Sequence, residues 1–103
     1  MGLLGRNANI TLSKKDIRVD GIGVGSALNE MYAKFGTPTL IKKQKAEKFN
    51  LTTVAYSFLD ENSNLCMIAF HHSDKVFNGR EFVATKPNII TEVAVYFRYK
   101  NNK

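Results

Sequence analysis

The sequence predicts an α+β domain, a two-layer sandwich in which one short N-terminal helix packs on an antiparallel β-meander. Three observations predict it. Leu28, Met31, Tyr32 and Phe35 recur at i, i+3, i+4 and i+7, which puts all four on one helical face. Thr52–Leu59 alternates, with Val54, Tyr56 and Phe58 on one side and Thr53, Ala55 and Ser57 on the other, as a half-buried strand does. Asn78-Gly79 stands between Val76-Phe77 and Phe82-Val83, a hairpin signal because both turn residues tolerate positive φ.

The elements follow in order. Residues 1–8 carry no pattern and are expected to form a disordered N-terminus. Residues 9–100 read as a single domain and 101–103 as a tail, since 103 residues suit one domain with a real core. Asn9–Leu12 and Asp16–Val19 read as short extended pieces joined by the polar turn Ser13-Lys14-Lys15-Asp16. In Gly21-Ile22-Gly23-Val24-Gly25 the third glycine comes one residue too early for a dinucleotide fingerprint, and the Gly-Lys-Ser/Thr of a Walker loop is missing. It reads instead as a flexible lead-in to the helix.

Ser26 is placed to cap that helix, Gly36 to end it in a left-handed conformation, and Pro38 to stop any continuation. The helix spans about three turns, too few to be stable alone, so its apolar face needs a sheet beneath it. Thr39–Phe49 reads two ways: a short strand over Thr39-Leu40-Ile41, then either a charged turn or a weak helix from Lys42 to Lys48. Asp60-Glu61-Asn62-Ser63-Asn64 is a polar turn, after which Leu65–Phe70 returns as a second strand. Ile89–Tyr99 is the longest strand candidate. One face carries Ile89, Val93, Val95, Phe97 and Tyr99; the other carries Glu92, Ala94, Tyr96 and Arg98, with Ile90 an apolar exception.

Composition narrows function. No apolar run reaches the ~18 residues of a membrane-spanning helix. Cys66 is the sole cysteine and sits inside Leu65-Cys66-Met67-Ile68-Ala69-Phe70, where it reads as a small buried hydrophobe. His71-His72 with Asp74 is the one metal-like cluster, but adjacent strand residues point to opposite faces, so no metal site is expected. No G-x-S-x-G elbow or H-E-x-x-H motif is present, and Asp60-Glu61 adjoin in a solvated turn. The chain is therefore expected to be no enzyme and to hold no cofactor.

Two surfaces remain. The net charge is +6, from 15 Lys and Arg against 9 Asp and Glu, and Lys42, Lys43, Lys45 and Lys48 form the densest basic run. Tyr96 and Arg98 belong to the residue types that dominate interface hot spots and fall on the expected solvent face of the sheet.

The order of motifs resembles a known group. Ile17–Ser26 leads into Leu28-Asn29-Glu30-Met31, Phe35-Gly36-Thr37-Pro38 ends the helix, and Thr53–Phe58 opens a meander that closes in Ile90–Val95. This resembles small bacterial envelope lipoproteins of the SmpA/OmlA type, whose fold is shared with β-lactamase-inhibitor-like domains. The resemblance covers Ile17 to Tyr99. It implies an extracytoplasmic, cell-envelope protein that binds other proteins across its sheet, and it carries no catalytic residues.

The leading expectation is thus a non-enzymatic protein-interaction domain of the bacterial cell envelope, a monomer or weak dimer with an unknown protein partner. A small cytoplasmic nucleic-acid-binding protein using the basic 42–48 segment is the alternative from another class. An immunity or inhibitor protein is a third.

Overall fold

Phe58, Phe70, Met31 and Ile68 are fully removed from solvent, and the architecture follows from how the chain covers them. The computed structural model describes residues 6–13 and 16–99. Its elements are β1 (Arg6–Asn7), β2 (Ile10–Leu12), β3 (Ile17–Val19), α1 (Leu28–Phe35), β4 (Leu40–Lys45), β5 (Asn50–Leu59), β6 (Leu65–Ser73), β7 (Lys75–Phe77), β8 (Phe82–Ala84) and β9 (Glu92–Tyr99).

β5 is the centre of the main sheet. β6 pairs with one side of it and β9 with β6, both antiparallel. The other side of β5 is shared: β4 runs antiparallel along Asn50–Ala55, and β1 runs parallel at Phe58 and Leu59. β2–β3 and β7–β8 form two further two-stranded sheets.

The expected α+β sandwich is corrected by this count of elements. The described residues are 53% strand and 9% helical, in three sheets, and form a β-rich fold. The helix is one eight-residue element, about two turns. It cannot cover the sheet alone, so Val19, Ile22 and Ile90, from β3 and two loops, complete the second layer at 1% exposure or less. Segments without a strand pattern also joined the main sheet. The Lys-rich 40–45 segment is extended because β5 offers it a ladder, and its lysines stay solvated at the edge. Within the stretch expected to be disordered, Arg6–Asn7 form β1 and Ala8 packs against the core. Residues 1–5 and 100–103, the expected tail included, lie outside the described residues.

The core face matches the alternation. Val54, Tyr56 and Phe58 lie opposite Phe70, Ile68 and Cys66. Leu28, Met31 and Phe35 of α1 close over them. Phe35 sets its ring 5.3 Å from Tyr56, 5.0 Å from Phe58 and 6.0 Å from Phe70. The Tyr56 and Phe58 contacts are edge-to-face and the Phe70 contact is stacked; such pairs contribute about 0.5–1.5 kcal/mol each beyond burial. The Tyr56 hydroxyl donates to the Gly36 carbonyl at 2.7 Å, which satisfies the polar tip of a buried ring.

Three local expectations are corrected. Ala27, not Ser26, occupies the N-cap; Ser26 Oγ accepts from the Gly23 N–H, and the Leu28 N–H donates to the Asn88 carbonyl. Ile89 and Ile90 precede β9: Ile89 bridges Ala27 and Ile90 is core. A bulge between Met67 and Ile68 skips Tyr96, so Phe97 lies opposite Met67, on the other face from Val95.

The glycine-rich lead-in is held by a cation. Arg18 donates to the Asp16 carboxylate at 2.8 Å and to the carbonyls of Gly21 and Val24 at 3.1 Å each. A phosphate cradle needs loop N–H groups turned inward; here loop carbonyls face the guanidinium. Gly23 fits because a Cβ there would come within 2.9 Å of the Ile17 carbonyl oxygen.

Candidate functional site

The face of the main sheet away from α1 bears Leu51, Thr53, Ala55 and Ser57 of β5 beside Ser73, His71, Ala69 and Met67 of β6. Glu92, Ala94 and Phe97 continue these rows on β9. Thr53 Oγ1 and His71 Nδ1 meet at 2.9 Å in the middle of this face.

The β7–β8 hairpin stands at one end of it. Asn78 N–H donates to the Glu81 carbonyl, and Asn78 Oδ1 accepts from the N–H groups of Arg80 and Glu81. The expected hairpin is present, but its loop has four residues between Phe77 and Phe82, and of the Asn-Gly pair only Gly79, at φ 99°, takes a positive φ. The base of the hairpin is stitched to the sheet. Asp74 N–H donates to the Asn50 carbonyl, Asp74 accepts from the Asn50 N–H and Nδ2, both at 2.8 Å, and Thr85 Oγ1 donates to the Ser73 carbonyl at 2.6 Å. The Asn50 hydrogen bonds hold the Asp74 carboxyl below its usual range.

Between hairpin and sheet lies a groove of about 500 Å³ lined by Phe49, Leu51, Val76, Phe77 and Phe82, with Lys75 and Glu92 at its rim. Phe77 is 59% exposed, Val76 39% and Phe82 37%. Phe82 nonetheless has fixed neighbours: its ring lies 5.9 Å from Phe49 and 5.3 Å from Phe77. A preformed, solvent-open aromatic groove can take a large apolar side chain and exclude water around it.

The residues singled out from sequence lie elsewhere. Tyr96 is half exposed at the β9 bulge, towards the other end of the sheet. Arg98 donates to Asp60 Oδ2 at 3.0 Å, so its guanidinium is engaged within the fold. Partial desolvation pushes the Asp60 carboxyl up, but hydrogen bonds from Asn64, Arg98 and Asn62 outweigh it and hold the pKa at about 2. Cys66 is buried beside this pair, and burial pushes its thiol up. Lys42, Lys43 and Lys45 lie on β4, and Lys48 follows in the turn to Phe49. They alternate in face: Lys42 lies opposite Thr53, while Lys43 and Lys45 lie opposite Thr52 and Asn50.

Tyr56 is core. His71 and His72 diverge as adjacent strand residues do, His72 Nδ1 donating to the Ile89 carbonyl at 2.7 Å. Among the described residues no three His, Cys, Asp or Glu side chains converge as a metal site, and no helix is long and apolar enough to cross a membrane.

Sequence reasoning missed Phe49, Phe77 and Phe82 as site residues because aromatics flanking a turn read as core. One signal was legible: Lys75–Ala84 is cut off from the core strands by Ser73-Asp74 and is too short to bury two phenylalanines against its own partner. No family model, curated protein or solved structure matches this chain.

Proposed function

We propose that this chain is a non-enzymatic protein-interaction domain that docks a protein partner through the groove between the β7–β8 hairpin and the sheet face away from α1. The observation that carries this reading is the exposure of Phe77, Phe82 and Val76 around one concavity. Clustered exposed apolar groups mark interaction sites, whereas scattered ones do not. The partner would set a large apolar side chain against Phe77 and Phe82 within this groove. The resemblance to envelope lipoproteins supports a setting in the bacterial cell envelope.

Nucleic acid is less well supported. The lysines of β4 divide between two sheet faces, while phosphate binding combined with base stacking needs charge and aromatics on one surface.

Affinity capture with the wild type and with Phe77→Ser/Phe82→Ser tests the reading. A protein recovered by the wild type and lost with the double variant supports it. Identical recovery by a folded double variant contradicts it.

A further inference from the structure

We infer that β4 is a docking edge for an extended acidic segment of a partner protein, which joins the main sheet as an added strand. The inference rests on the reading of the chain as a protein-interaction domain but uses a different surface.

Among the described residues β4 pairs with β5 alone, and all six of its residues are exposed. Its outer edge therefore presents backbone N–H and C=O groups that an extended chain can pair with, the mode known as strand addition. The side chains specify what kind of chain. Lys42 projects on the face away from α1, Lys43 and Lys45 on the face that carries α1, and Lys48 lies just past the strand. Their cross-strand neighbours on β5 are Thr53, Thr52 and Asn50, none of them charged. Neither ion pair among the described residues involves a β4 lysine. An added strand would set acidic side chains beside Lys42 on one face and beside Lys43 and Lys45 on the other, where opposite charges directly across a ladder attract. Leu40 and Ile41, 43% and 51% exposed, would receive apolar residues at the other end of the same strand.

The same features argue against other occupants. A second copy joined through β4 would place lysines against lysines, and lysine-rich edges oppose such self-pairing. A nucleic acid strand would meet cations on only one face at a time.

The probe is a fluorescein-labelled peptide of about eight residues, with Val and Thr at one end and alternating Glu and Thr at the other, followed by anisotropy. Saturable binding to the wild type is expected, weakened about tenfold or more by Lys42→Glu/Lys43→Glu. N-methylation of alternate peptide amides should abolish it, since that leaves the charge and removes the ladder hydrogen bonds. Amides of β4 should gain hydrogen-exchange protection. Several results would overturn the inference: equal binding of the N-methylated peptide, no binding at all, tighter binding of an oligonucleotide of equal charge, or loss of peptide binding in Phe77→Ser/Phe82→Ser. If the peptide fails while Phe77-dependent partner capture persists, the edge is dismissed and the groove reading stands.

Discussion

Phe82 stacks on Phe49 with ring centroids 5.9 Å apart and planes 19° from parallel, and this contact pins the β7–β8 hairpin to the start of β5. Phe49 lies in the loop just before β5 and Phe82 in β8, and the two share no backbone ladder. The groove therefore depends on a side-chain contact, which makes its shape sensitive to single substitutions.

Phe49→Ala should loosen the hairpin without unfolding the core. Half-buried, Phe49 loses one stacking partner, so the expected cost is about 1–2 kcal/mol. Hydrogen exchange at the Val76, Phe77 and Val83 amides should accelerate, while Val54 and Phe70 amides keep their protection.

Phe70 and Phe77 should respond oppositely to truncation. Phe70 is fully buried and lies within 6.2 Å of two aromatic rings. Phe70→Ala should cost about 3–5 kcal/mol in urea unfolding. Phe77→Ala, at a 59% exposed site, should stay within about 0.5 kcal/mol of the wild type. An exposed phenylalanine whose loss scarcely affects stability is one the fold does not require.

Acid should act through Asp60. Its folded-state pKa of about 2 lies below the 3.8 of an ordinary carboxylate. The stability it contributes is therefore present in full above the unfolded value and is lost as pH falls from about 4 towards 2. Asp60→Asn should lower Tm at pH 7 by roughly 5 °C and flatten the fall in Tm across that window. Thermal melts of both proteins from pH 7 to pH 2 check this.

Gly23→Ala should destabilise through crowding. The new methyl would lie 2.9 Å from both the Ile17 carbonyl oxygen and the Arg18 Cγ. The backbone oxygen cannot swing aside, so a cost of about 1–3 kcal/mol is expected. Arg18→Ala alone also costs stability, because it removes the bonds to Asp16, Gly21 and Val24, but the added cost of Gly23→Ala should be smaller in the Arg18→Ala background than in the wild type; denaturant titration of the two single variants and the double variant measures this.

Much of the fold was legible in the sequence. The spacing of Leu28, Met31 and Phe35 and the alternation of Val54, Tyr56 and Phe58 are local records of a buried face, and both hold. The start of β4 was legible in Leu40-Ile41, but its continuation was not, because Lys42 to Lys45 carry no periodic apolar pattern and become a strand only when β5 lies alongside. That longer strand, with β1 and the short helix, turned an expected α+β sandwich into a β-rich fold. The β9 bulge was hidden for a related reason: alternation assumes an unbroken ladder, and one skipped residue moved Phe97 to the opposite face. Of the candidate site, the hairpin turn was visible in Asn78-Gly79. The convergence of Phe49 on Phe82 was not, since it depends on where β5 begins relative to the hairpin.

The most direct test of the interaction reading is site-specific photo-crosslinking in native cells, with benzoylphenylalanine placed at Phe77 and, as a control, at Glu30 on the exposed side of α1. The reading predicts one discrete crosslinked protein band from position 77 and none from position 30. The same diffuse pattern from both positions, or no adduct from position 77, would contradict it.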